Sequence, residues 1–179
     1  LGIDPKIKVL LSYFEISEME PKLKTQAYEL LDILTVQHED DPKAHAMKAD
    51  FLYRDRRLEE AQKSFIKTVE LDSSRFMVWS QLTQVDYELG DNEALLRDSK
   101  TAAELFPNQA IFYLFRGLAF NEAKRTDEAV QVLEAGKAFA NRQPEVKVQM
   151  LSILGNVYND IKEFEKSDKA FDSALELSP

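Results

Sequence analysis

The side chains suited to chemistry are few. His38 and His45 are the only histidines, and His38-Glu39-Asp40-Asp41 runs up to His45 in a stretch that could be imagined around a metal ion. The spacing fits no zinc or calcium site, because the helical His-x-x-x-His pair and the glycine of a calcium loop are both missing. There is no cysteine, which excludes disulfides, thiolate zinc and a cysteine nucleophile. No Gly-rich phosphate loop and no Gly-x-Ser-x-Gly elbow occurs. The paired carboxylates Glu59-Glu60 and Asp127-Glu128 fall where helices should begin, where they favour the helix dipole and cap free N–H groups. The expectation is no catalytic residue, no cofactor and no metal, and hence no enzyme.

The elements that would position any site are helices. Five Gly and six Pro in 179 residues leave little material for the turns of an all-β fold. With 44% hydrophobic and 31% charged residues the chain is built to fold around a core. The net charge of −9 and the lack of any Lys/Arg-rich run argue against a nucleic-acid partner. No apolar stretch approaches the roughly 20 residues of a membrane span. Localisation stays open, since a chain without cysteine suits reducing and oxidising compartments alike.

Internal periodicity is the strongest signal. Residues 42–75, 76–109 and 110–143 are three abutting segments of 34 residues, and 148–179 follows after a four-residue insertion, Pro144–Lys147. Four residues are about one helical turn, so a longer helix or a wider corner is expected there. Early in each segment stands a bulky residue: His45, Trp79, Tyr113, Leu151. Four residues on comes Ala49, Thr83, Gly117, Gly155, and three further Leu52, Asp86, Phe120, Tyr158. Spacings of three and four share one helix face, so the small residue admits a second helix that the large ones flank. That second helix repeats Ala61, Leu95, Ala129, Ser167, then Phe65, Ser99, Leu133, Phe171, then Thr68, Ala102, Gly136, Ala174, and ends near Leu71, Leu105, Phe139, Leu177. Polar turns such as Asp55-Arg56-Arg57 and Gly90-Asp91-Asn92 join the helices. Pro107 and Pro179 mark where second helices stop. Residues 1–41 form a degenerate repeat or an opening helical pair, with Ile7, Leu10, Leu11 and Phe14 on one face. Pro21 opens a second helix that carries Ala27, Leu30, Leu31 and Leu34.

These columns resemble the tetratricopeptide repeat family. Trp79, Leu82, Gly90, Pro107, Gly117, Phe120 and Ala129 fit its pattern, and Leu151, Leu154, Gly155, Tyr158, Phe171, Ala174 and Pro179 fit it almost completely. Lys48 and Arg116 depart from it where leucine is usual, and Asp86 where an aromatic is usual, so packing around Asp86 is expected to be irregular. The resemblance implies an all-α, right-handed superhelical solenoid of antiparallel helix pairs with about ten helices, continuous as one domain. A helix pair buries its apolar face only against neighbours, and the sequence stops directly after a second helix. The expectation is therefore an excerpt of a longer protein, with a homodimer through the open C-terminal end as the alternative.

The same resemblance implies that first helices line a concave groove for another protein. Its positions are Lys43, Ala46, Asp50, Tyr53 and Arg54, then Met77, Ser80, Gln84, Tyr87 and Glu88. Further along come Ile111, Leu114, Leu118, Asn121 and Glu122, and last Gln149, Ser152, Asn156, Asn159 and Asp160. The groove is expected to be apolar in the middle, with Tyr53 and Tyr87 projecting into it as contact residues, although Ile111, Leu114 and Leu118 could instead pack on the adjacent helix. Family members that grip the acidic C-terminal tail of chaperones use Lys, Asn and Arg where this chain has Ala46, Asp50, Gln81, Ile111 and Phe115, so that partner is not expected. What remains is a protein-interaction scaffold for another protein or peptide, or alternatively a structural spacer or self-association arm.

Overall fold

The computed structural model describes residues 2–178, apart from the Met19 side chain, and among these it contains ten helices and no strand. Leu1 and Pro179, and with Pro179 the expected stop of the last helix, lie outside the described residues. Two compact units are formed, one ending at Leu89 and the other starting at Gly90.

The first unit comprises α1 (Ile3–Met19), α2 (Pro21–Gln37), α3 (Pro42–Arg54), α4 (Leu58–Leu71) and α5 (Phe76–Leu89). Pro21 and Pro42 occupy first helical positions, where no N–H is needed and φ is already helical. The Asp41 carboxylate caps α3 by accepting from the Lys43 N–H at 2.9 Å. Leu10, Ala27, Leu31, Leu34, Ala44, Met47 and Phe51 form one buried cluster of α1, α2 and α3. Leu11 and Leu30, expected on the apolar faces of α1 and α2, are instead exposed. One stripe of each helix meets a neighbour, and these two residues stand at its edge.

In the second unit are α6 (Asn92–Leu105), α7 (Ala110–Glu122), α8 (Thr126–Lys137), α9 (Pro144–Asp160) and α10 (Phe164–Leu177). Asp91 caps α6 through the Ala94 N–H at 3.1 Å. Leu114, Leu133, Met150, Leu154 and Ala170 share a core, and Leu95 packs with Phe115 and Ala119. The inserted residues Pro144–Lys147 are the first turn of α9, which runs 17 residues. The insertion thus lengthens a helix.

The small-residue columns let helices approach closely. A β-carbon on Gly117 would lie 2.4 Å from Leu133 Cδ2, and one on Gly155 2.6 Å from Phe171 Cζ. Ser167, in a column otherwise held by Ala or Leu, donates to the Gly155 carbonyl at 2.8 Å. The turns after α3, α7 and α9 each place one residue in the left-handed region: Arg56 at φ 60, Lys124 at φ 58 and Lys162 at φ 64. In all three the next N–H reaches back to a carbonyl five residues earlier, as in Arg57 N to Leu52 O at 2.9 Å, which is the Schellman closure of a helix end.

The carboxylates at the starts of α4 and α8 lie in first turns as expected, but no side chain there caps a free N–H. Glu60 and Glu128 instead pair with Arg57 and Arg125, which stand three residues earlier. Asp86 is fully buried where an aromatic is usual, and Gln62 of α4 donates to it at 2.8 Å. Lys48 extends to Asp32 at 2.7 Å, and Arg116 lies over the Phe120 ring.

Candidate functional site

In the first unit, first helices of successive pairs come side by side. Leu11 and Phe14 of α1, Met47, Asp50, Tyr53 and Arg54 of α3, and Gln81 of α5 line a cavity of about 470 Å³. Its floor is Phe14 and Met47, and Leu11 stands at the rim with 56% of its surface exposed. Sequence reasoning places Asp50, Tyr53 and Arg54 here, and Gln81 among the positions compared with the chaperone-tail grip, but misses Leu11, Phe14 and Met47. The hydrophobic face of α1 is legible in the sequence, but its position beside α3 is a tertiary fact.

Arg54 does not reach into open groove as expected. Its guanidinium lies against the rings of both Phe14 (4.7 Å) and Phe51 (4.8 Å), which themselves meet edge to face at 4.9 Å. It donates to the Phe14 carbonyl, to Ser17 Oγ at 3.1 Å and to Asp55 Oδ1 at 2.9 Å. Asp55, itself almost wholly covered, also takes Lys24 at 3.0 Å and the Tyr28 hydroxyl at 2.8 Å. Burial alone would raise its carboxyl, but hydrogen bonds from Arg54, Lys24 and Tyr28 hold it below the usual range. Arg54 therefore staples α1 to α3 and forms the back wall of the cavity.

Asp50 differs. It accepts one hydrogen bond, from Gln81 Nε2 at 2.8 Å, and pairs with no lysine or arginine among the described residues. Burial pushes its carboxyl above the ordinary value, with the Gln81 hydrogen bond only partly offsetting this. Beside it, the Tyr53 hydroxyl donates to Glu88 at 2.7 Å, and burial together with that carboxylate pushes Tyr53 up to about 12. Burial would raise Glu88, yet hydrogen bonds from Tyr53, Gln84 and Arg56 and the charge of Arg56 hold it low. Tyr53, Gln84 and Glu88 are thus tied to one another. Lys43 pairs with Asp4 at 2.6 Å, while Met77 and Tyr87 are 64% and 45% exposed.

In the second unit Asn156 and Asn159 are exposed and Asn121 is half-buried. Leu114, expected at the apolar centre of the groove, is a core residue with 2% exposure, and Ile111 and Leu118 pack against the same core. Met150 and Leu154 of α9 belong to the same core as Leu114. Hollows of about 500 and 400 Å³ in this unit are lined by other residues, among them Glu134, Lys137, Leu151 and Ser173.

The histidines are structural. His45 Nε2 lies 2.8 Å from the Glu39 carbonyl, which can only accept, so this nitrogen carries the proton. The equivalent residues do the same: Trp79 Nε1–H donates to Ser73 O at 2.9 Å and Tyr113 Oη–H to Pro107 O at 3.0 Å. In each case the acceptor stands six residues earlier. His38 Nε2 is met by Lys6 Nζ at 2.9 Å. Among the described residues no three acidic or histidine side chains are grouped to hold a metal, and no helix is long and apolar enough to cross a membrane.

Residues 148–179 match the tetratricopeptide repeat family. The crystal structure of YrrB, described as a TPR protein with an unusual peptide-binding site, superposes with a TM-score of 0.77 at 17% identity, covering 99% of this chain and 87% of that one. The fold is that of a tetratricopeptide-repeat protein. MamA residues 41-end from Desulfovibrio magneticus RS-1 are also similar, with a TM-score of 0.78 at 16% identity, covering 98% of this chain and 97% of that one. PilF of Pseudomonas aeruginosa gives 0.70 at 19% identity, covering 98% and 76%. No curated protein matches the sequence. In this repeat array the first helices of the pairs are α1, α3, α5, α7 and α9.

Proposed function

We propose that the chain is a protein-interaction scaffold that takes an extended segment of a partner protein on the first-helix face of its first unit. The observation that carries this is the cavity among α1, α3 and α5, where apolar Leu11, Phe14 and Met47 meet polar Asp50, Tyr53 and Gln81. An apolar floor with a few fixed polar groups is the composition of a peptide-recognition site, and the exposed Met77 and Tyr87 of α5 offer further contact area. The peptide-binding site described for YrrB, a protein of similar fold, supports the same reading. Asn121, Asn156 and Asn159 belong to the corresponding face of the second unit as a further polar contact surface.

Selection of displayed peptides against the intact chain, followed by affinity measurement, tests this. Leu11→Asp and Tyr87→Ala are expected to weaken selected peptides at least tenfold, while Lys169→Ala on α10 leaves them unchanged. Peptides indifferent to both first-unit variants would overturn the assignment.

A self-association arm is the second reading, favoured by Phe164, Leu175 and Leu177, which α10 leaves exposed. A mass by light scattering that stays monomeric across a wide concentration series would remove it.

A further inference from the structure

We infer that the first-unit cavity selects segments carrying a lysine or arginine, whose cation is received by Asp50. The inference rests on the scaffold reading and specifies the chemistry of that site. Asp50 is a carboxylate on the wall of a cavity that apolar Leu11, Phe14 and Met47 line together with Tyr53, Gln81 and the Arg54 back wall, and it has one hydrogen bond, from Gln81. A carboxylate so covered costs free energy unless something compensates it. The neighbouring charges are already committed elsewhere. Arg54 is held through Nε by Asp55 and through Nη1 by the Phe14 carbonyl and Ser17, its buried Nη2 being without a partner, and Glu88 is held by Arg56 and Tyr53. Asp50 alone among these groups has acceptor capacity without a cation.

A lysine or arginine supplies what is missing. Its aliphatic stem matches the Leu11, Phe14 and Met47 surface, while its head reaches a carboxylate. An acidic ligand would place like charge against Asp50. The chain's net charge of −9 attracts basic segments over the same range in which it repels acidic ones.

The test uses two acetylated, amidated pentapeptides, Ala-Ala-Lys-Ala-Ala and the same sequence with norleucine at the centre, which keeps the stem and lacks the ammonium. Binding is read from the Gln81 side-chain amide and the Met47 methyl resonance of the full chain. The lysine peptide is expected to shift both signals with an affinity at least tenfold above the norleucine peptide. Asp50→Asn, which keeps the acceptor for Gln81, should abolish the difference, and rising salt should shrink it. Equal binding of the two peptides, or a preference that survives in Asp50→Asn, overturns the inference. Peptides selected by display that occupy this cavity without a basic residue would also overturn it while leaving the scaffold reading intact.

Discussion

His45, Trp79 and Tyr113 are chemically unlike, yet each turns its polar tip to a carbonyl six residues earlier and so closes the loop entering its helix. In these three repeats the position holds a ring with a donor at its edge, whereas the buried Leu151 fills it in the last by bulk alone. Trp79→Phe keeps most of the buried ring and removes the donor, so it should cost about 1 kcal/mol in urea unfolding. Asp50 carries the opposite sign. A carboxyl whose folded pKa is raised binds its proton more tightly folded than unfolded, so stability falls as pH climbs from the ordinary carboxylate range through that raised value. Asp50→Asn should therefore raise the melting temperature at neutral pH and flatten its pH dependence in that window. An unchanged melting temperature would mean that water compensates the charge.

At the level of elements, the turns and the close helix approaches set the repeat. Lys124 adopts φ 58 with a side chain that gains nothing from it, so Lys124→Gly should stabilise the chain by up to about 1 kcal/mol in denaturant unfolding. The helix approaches tolerate less change. A β-carbon on Gly136 would lie 2.5 Å from Tyr113 Cβ, an atom fixed by the α7 backbone. Gly136→Ala is expected to cost about 1–3 kcal/mol, and Gly155→Leu at least as much, because Phe171 has to leave its place over α9. Both glycines stand in columns where the sequence pattern demanded a small residue, whereas the buried Asp86 was legible only as an anomaly. Its accommodation needed Gln62, which sits 24 positions away on another helix.

For the whole molecule, acid is the condition to examine. Asp55, Glu60, Glu88 and Glu128 are held below their ordinary values by hydrogen bonds and cationic neighbours, some against the opposing effect of burial. Groups with depressed folded values contribute stability that is complete above the unfolded range near about pH 4 and is lost as pH falls through the folded values. The melting temperature should thus drop steeply below about pH 4, and a flat profile down to about pH 2 would contradict these pairings. Asp55 is the most consequential, because Lys24 and Tyr28 of α2 converge on it together with Arg54 of α3.

The sequence alone determined the helical class, the 34-residue period, the small-residue columns and the turns. These depend on spacing within a few residues, where helix geometry converts position directly into facing. The resemblance of those columns to the repeat family supplied Asp50 and Tyr53 as expected groove positions. Only the tertiary structure decided which candidates are accessible. Leu114 went into the core with Met150 and Leu154 of α9, and Arg54 became a staple because α1 presented Phe14 and its carbonyl. Leu11 and Gln81 joined the cavity because α1 and α5 flank α3. Burial and hydrogen-bond partners depend on residues tens of positions apart, and no local spacing encodes them.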